Sequence, residues 1–522
     1  MEELRADIAI IGGGLGGCAA ALAAASLGRR VLLTEETRWV GGQLTSEAVP
    51  PDEHPWIERF GATASYRALR DALRRYYREH TPLSARARED RLLNPGNGWV
   101  SRICVDPRIA LAVLEQMLCP YTLTGRLTIL RGVRPIAATS DADRVTSVTV
   151  ERVETGAATA IQAAYFIDAT PWGDLLELAR VEHASGPEAR SETGEPHAAE
   201  RPAPHDEQPI TVVFALDHLP EEDHRIRKPE QYERWRAIQP AGWPGKLLGW
   251  TVSRPETHEP LTRRLHDGDD GRSLWSFRRI LDRTSFEDGF APSDVTLVNW
   301  PHNDYRFGPL LGVSREERER SVRDARQLSL SLLYWLQTEA PRPDGGAGYP
   351  GLRLRGDVVG GASDGLALAP YVRSSRRIRA EVTVREQEIA AELRPDGAEP
   401  FADSVGVGCY RIDLHPTRGG VDYIDIACWP FQIPLGALVP IRVENLLPGG
   451  KNLGVTHVAN GAFRVHPVEW NVGESAGTLA AYCVARGVTP RAVRHTGRLL
   501  DELQALLVAR GVELSWPTVT PL

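Results

Sequence analysis

Cysteine is scarce and scattered. The six residues, at 18, 104, 119, 409, 428 and 483, include no C-x-x-C pair, and no Cys/His group has metal-ligand spacing. A dithiol redox centre and a zinc-held fold are excluded, and no metal is expected. The thiols read as free and mostly buried, as in a reducing compartment. At 522 residues the chain needs no covalent staple to build its core. Basic excess is also missing: the formal net charge is -8. A nucleic-acid binder shows a basic face, so no nucleic acid is expected. Long apolar runs are absent too. Residues 8–25 come closest, but they are rich in glycine and follow acids where a secretory signal has bases. The expectation is a cytoplasmic protein with no membrane segment. There is no internal repeat, no low-complexity tract and no second dinucleotide fingerprint. A homodimer is compatible with the charge.

What is present begins at residue 8. "IAIIGGGLGGCAAAL" places Gly12, Gly14 and Gly17 as G-x-G-x-x-G after an apolar strand and before a small-residue helix closing at Gly28. "RRVLLTEE" then reads as a second buried strand. Strand, glycine turn, helix and strand within about 30 residues form a βαβ nucleotide unit. Gly12 allows the tight turn, Gly14 lets backbone approach a pyrophosphate, and Gly17 lets the helix pack close. Leu15 and Gly16 open the helix, whose N-terminus attracts phosphate. The ribose-binding acid is Glu35, with Glu36 as the alternative, and an acid there disfavours a 2'-phosphate.

Three further segments favour FAD over NAD. "GGQLT" (Gly41, Gly42, Gln43, Leu44 and Thr45) is a second glycine turn directly after the ribose acid. "YFIDATPWGDLL" returns a strand toward the pyrophosphate with Ala169 and Thr170, followed by Gly173 and Asp174. "HVANGAFRVHPVEWNVGESAGTLAAY" brings a helix N-terminus toward the flavin pyrimidine, where it would stabilise the reduced ring. Val133, Val465 and Val468 complete the cofactor candidates.

Together with "TGEPHA", "NWPHNDYR", "YVRSSRRIRAE" and "FQIPLGALVP", these segments resemble the bacterial FAD-dependent oxidoreductases of the two-domain, glutathione-reductase-like superfamily. The likeness runs from residue 6 to about 487. It implies an α/β fold with a Rossmann-type FAD-binding domain, interrupted by an inserted α+β substrate domain. It also implies an enzyme whose partner is a small-molecule substrate. Pro171 and Trp172 depart from the Ala-Thr-Gly turn common in the family. Within the superfamily, a disulfide reductase needs a cysteine pair and an aromatic hydroxylase a Gly-Asp-Ala segment, and neither is here.

The remaining reading is an oxidase or dehydrogenase. It removes a hydride from a C-OH, C-NH or C-C bond to flavin N5, with a base taking the proton. His457 is the first candidate base, and His466 the second or a flavin contact. Arg464 is the anion contact. His302, Asn303, Asp304 and Tyr305 in "NWPHNDY" offer polar ligand contacts or brace a turn. Trp429 and Gln432 are candidates for the ring face. His54 reads as a surface turn residue or a covalent attachment point. The arginines of "YVRSSRRIRAEVTVRE" are expected on a helix face or a local anion site. A flavin-dependent monooxygenase, a non-catalytic FAD-binding scaffold and a plain NAD dehydrogenase are the alternatives. Composition places the FAD domain in residues 1–200 and 401–522 and the substrate domain in 201–400.

Overall fold

The structure, a computed structural model, describes residues 2–255, 257–266, 272–419 and 423–522. Its N-terminal unit starts with strand β1 (Glu2–Ile11), helix α1 (Leu15–Ser26) and strand β2 (Val31–Glu35). Helices α2 (Ala64–His80) and α3 (Pro107–Leu123) follow. Four strands come next: β3 (Leu127–Arg131), β4 (Val133–Asp141), β5 (Arg144–Arg152) and β6 (Ala158–Asp168). The sheet order is β3-β2-β1-β6-β5-β4, and strand β7 (Leu446–Pro448) also pairs with β6. β3, β2, β1, β6 and β7 run parallel, while β4 and β5 form an antiparallel flap.

Residues 8–11 of β1 are wholly buried, as a central parallel strand with both faces covered requires. Register sets Ile11 beside both Thr34 and Asp168. The strand ends carrying Gly12, Glu35 and Ala169 therefore converge at one edge, where doubly wound sheets bind ligands.

The layer above the sheet depends on small side chains. Helix α6 (His466–Arg486) crosses α1 so closely that a Cβ on Gly473 would lie 2.0 Å from the Gly16 carbonyl oxygen. One on Gly477 would lie 2.4 Å from that of Ala20. Gly16 and Ala20, facing these glycines, let two backbones come into contact and bury both helices in the core that holds Ile8, Leu33 and Ile167.

A second core lies under residues 210–372. Strands Phe214–His218, Val295–Val298 and Leu352–Leu354 pack on helix α4 (Arg315–Thr338), with Trp235, Trp300 and Trp335 buried between. α4 opens with a capping box, Ser314 to Glu317. Residues 183–209 are largely irregular, with one two-residue strand and one helical turn.

The expectation for "YVRSSRRIRAEVTVRE" is corrected: the segment is extended. Tyr371–Val372 pairs with Ile210–Thr211, and Arg377–Ile378 with His183–Ala184. Its arginines are not a solvated helix face. Arg373 meets Asp304, Arg376 meets Asp174 and Arg377 meets Glu188, all three arginines nearly fully buried. The extended form is held by these pairings and by the acid that each of the three arginines finds on another segment.

Candidate functional site

The first part of the site is made by backbone. Gly12 has φ +105, and a Cβ there would lie 2.4 Å from the Ala169 carbonyl carbon. A Cβ on Gly16 would lie 1.9 Å from the Gly449 oxygen. Gly14 meets only one atom, at 3.6 Å, so its outer face is free for a ligand. It is the N-cap of α1 and has no side-chain cap. The first amides of that helix are left for an anion.

Two cavities meet at this turn. The larger, of 720 Å³, is lined by Gly12, Gly14, Glu35, Glu36, Val133 and Thr170, with Gly42, Asp174 and Trp172 also on its wall. The smaller, of 20 Å³, continues past Gly14, Leu15, Gly16, Gln43 and Ala169 to Glu47, Lys451, Asn452 and Glu469.

Glu35 accepts from the Gly13 amide at 3.1 Å and from Thr37 Oγ1 at 2.7 Å. Burial nonetheless raises its carboxyl to about 7. Glu47 is buried more severely and is raised to about 8, with Lys451 opposing the rise. Lys451 itself donates to Glu469 at 3.0 Å; burial works against its charge, and Glu469 and Glu47 outweigh it. Gln43 donates to the Arg464 carbonyl at 3.1 Å, across 421 positions of sequence. Gln43 Oε1 and Glu47 Oε2 are buried acceptors with no donor among the described residues.

The second part of the site is made by side chains, where the two cores meet. Asp304 accepts from Thr211 Oγ1 and from His415 Nδ1, each at 2.5 Å, and pairs with Arg373 at 3.0 Å. Burial works to raise the Asp304 carboxyl. Arg373 and His415 overrule it and hold it well below the ordinary carboxylate range. His415 Nε2 lies 3.7 Å from the Asp413 carboxylate. Asp413 in turn accepts from Arg464 at 2.8 Å, and Arg464 also donates to the Tyr371 hydroxyl at 2.8 Å. A chain of contacts thus runs from Arg464 through Asp413, His415 and Asp304 to Arg373.

The histidines named from sequence lie elsewhere. His457 is the first residue of helix α5 (His457–Phe463), where its amide donates to Glu188. Arg464 caps the opposite end, about 10 Å away along the helix axis. His466 Nδ1 accepts from the Asp52 amide at 3.3 Å, and its Nε2 contacts the Val49 carbonyl at 3.1 Å. Burial lowers its pKa to about 4, so it stays neutral and braces the loop after the second glycine turn. His302 is fully enclosed beside Trp300, and burial lowers it too to about 4. Tyr305 lines a separate cleft with Glu230, Arg320 and Asp324.

Leu44 packs into an apolar cluster, and Thr45 donates to the Val40 carbonyl. Gly41 meets Leu114 and Thr45 rather than open space. Gly173 has φ +67 and abuts Arg376, while Val465 and Val468 belong to the core around α6. Trp429 donates to Arg394 and Gln432 to Leu514, which ties both to peripheral segments. His54 is not a surface turn residue. It is buried, bonds the Gly61 carbonyl at 3.0 Å and stacks edge-on against Trp516 at 5.1 Å.

Sequence reasoning missed Glu47, Lys451, Asn452 and Glu469, and also His415, the partner of the Asp304 that it had named in the "NWPHNDY" turn. The "GGKN" turn after β7 was a visible signal for the first group. Nothing local marks His415, which lies 111 residues from Asp304 in the chain.

A family model described as FAD dependent oxidoreductase matches residues 7–507. No curated protein matches the chain. Similar solved structures include the L-proline dehydrogenase from P. horikoshii, at 17% identity over 35% of this chain and 24% of that one, with a TM-score of 0.19. A geranylgeranyl bacteriochlorophyll reductase-like protein from Thermoplasma acidophilum is 9% identical over 98% of this chain and 85% of that one, TM-score 0.32. A variant of the E. coli quinol fumarate reductase FrdA is 12% identical over 98% and 74%, TM-score 0.33.

The residues present fit FAD. A capless helix N-terminus suits its diphosphate, and Glu35 suits a ribose. The donorless acceptors Gln43 Oε1 and Glu47 Oε2 suit the hydroxyls of a ribityl chain. Among the described residues no helix is long and apolar enough to cross a membrane.

Proposed function

The chain belongs to the FAD-dependent oxidoreductase family and FAD is its cofactor; from that premise we propose that it oxidises a small organic molecule at a C-OH, C-NH or C-C bond, with His415 taking the substrate's proton. Bound FAD supplies the two-electron acceptor. Gly12, Gly14 and the α1 N-terminus hold its diphosphate in this reading. Glu35 holds the adenosine ribose, and Gln43, Glu47 and Lys451 the chain between diphosphate and ring.

The observation that carries the assignment is the Asp304–His415 contact. A carboxylate at Nδ1 fixes the imidazole in the tautomer whose Nε2 can accept a proton, and it stabilises the imidazolium that results. His457 and His466 are weaker candidates for that role. The first stands at the far end of α5 from Arg464, and the second has both ring nitrogens on backbone. Tyr371 and Asp413 orient Arg464, which faces the same junction.

Membership of the glutathione-reductase-like superfamily, a cytoplasmic location, a substrate domain spanning 201–400 and a homodimer belong to the same proposal. A monooxygenase is the second reading. NAD(P)H-driven oxygen uptake would establish it.

The test is rapid-mixing flavin reduction with a panel of alcohols, amines and hydroxy acids. We expect His415→Gln to slow reduction by about 100-fold or more with FAD content unchanged. His457→Gln changes it by less than about 5-fold. Full reduction by the His415 variant removes the assignment.

A further inference from the structure

Arg278 is a buried cation short of acceptors. It is 9% exposed, and its Nε and Nη1 have no hydrogen-bond partner among the described residues. Among the described residues its one ion pair is a long contact, 3.7 Å from Nη2 to Asp52. The side chain lies over the Phe277 ring at 4.8 Å, and its carbonyl is anchored by the Leu297 amide at 3.1 Å. Asp52, His466, Tyr410 and Cys104 are among the groups close to it. His466 stays neutral, and the phenol and thiol are pushed upward, so neither ionises near neutral pH. Asp52 also reaches Arg464. Arg464 has Asp413 at 2.8 Å, whereas the Asp52 carboxylate stays 3.7 Å from Arg278.

Elsewhere in the chain some buried arginines are treated differently. Arg70 has Glu53 at 2.8 Å and Glu58 at 2.6 Å; Arg377 has Glu188 at 2.7 Å. A guanidinium moved out of water needs a close negative group to offset its desolvation. Among the described residues Arg278 lacks such a group, as does Arg306, which is 8% exposed and lies over the Trp243 ring; Arg278 differs in standing beside the loop after the second glycine turn and the N-terminus of α6.

We propose that Arg278 receives a carboxylate of the substrate, so that the molecules oxidised here are organic acids. The inference rests on the reading of this junction as the substrate site. Oxygen acceptors could come from two sources, a substrate carboxylate or a carbonyl of the flavin pyrimidine. The observations favour the first, because a neutral carbonyl leaves the buried charge unbalanced.

The experiment titrates the holoprotein at constant ionic strength with acetate, lactate, pyruvate and benzoate, reading the flavin absorption band. Acetamide, 1,2-propanediol, acetone and benzamide serve as neutral partners. The expected result is a saturable shift with carboxylates and none with the neutral set. Arg278→Met weakens carboxylate binding at least 10-fold, Arg278→Lys retains part of it, and FAD affinity stays within twofold in both. Equal response to acids and neutral compounds overturns the proposal, as does unchanged carboxylate affinity in Arg278→Met. Loss of FAD affinity without any carboxylate response also overturns it and assigns Arg278 to the flavin. If Arg278→Met does not fold, the Arg278→Lys titration decides by the same criteria. Carboxylate binding in a holoprotein that no donor can reduce leaves this inference standing and removes the oxidative reading instead. Reduction by neutral alcohols as fast as by hydroxy acids does the reverse.

Discussion

The glycine turn and the junction between the cores are built on opposite principles. At the turn, almost nothing projects. Gly12, Gly14 and Gly16 are defined by the absence of side chains, and backbone carbonyls set every limit. At the junction, side chains do all the work, and Asp304 alone touches Thr211, Arg373 and His415. A site shaped by backbone tolerates no added atom. A site shaped by charge tolerates substitution of shape better than substitution of sign.

The largest effect should come from adding one carbon to the turn. Gly12→Ala meets both a positive φ and a backbone contact inside 2.5 Å, a cost of roughly 4 kcal/mol. FAD affinity should fall about 1000-fold by fluorescence titration. A fall below 10-fold would mean that the turn yields, and the contrast between the two regions would collapse.

Next comes the junction. Asp304→Asn leaves Arg373 buried beside a neutral group and should destabilise the holoprotein by about 3 kcal/mol in urea unfolding. The flavin content of the folded fraction should not change. Loss of flavin together with stability would show that the regions are one unit.

The third test uses pH. Glu47 binds its proton more tightly folded, near 8, than unfolded, near 4.5. The folded state therefore holds the extra proton between those values, and apo-protein stability from this group falls as pH rises from about 5 to 8. Glu47→Gln should flatten that slope by on the order of 2 kcal/mol, read as denaturation midpoints at pH 5 and pH 8. An unchanged slope would mean that Lys451 keeps the carboxylate ionised throughout.

The smallest effect is expected at the rim of the turn. Thr37→Ala removes the 2.7 Å bond to Glu35, worth about 1 kcal/mol, and should weaken FAD binding roughly fivefold by calorimetry.

The same contrast explains what could be read from the chain. β1, α1, β2 and the long helices follow from local pattern. The spacing of Gly12, Gly14 and Gly17 declares itself because backbone geometry restricts which residues are allowed. The extended arginine segment did not declare itself: Arg373, Arg376 and Arg377 are buried only because Asp304, Asp174 and Glu188 arrive from distant segments. His415 was invisible for the same reason. His457 drew attention by lying in a recognisable segment, yet α5 turns it toward Glu188.

The bond from Gln43 to the Arg464 carbonyl has a temporal side. Its two ends are 421 positions apart, and the wall holding Lys451 and Glu469 is made at nearly the same late moment. At roughly 5–20 residues per second, a ribosome takes on the order of 20–80 s to cover that distance. Through that interval the glycine turn has emerged with β1 and β2 but without the helix that covers it. A complete cofactor wall in the cell therefore waits for residues 449–486, and until α6 is made the alanine-lined face of α1 has no partner helix.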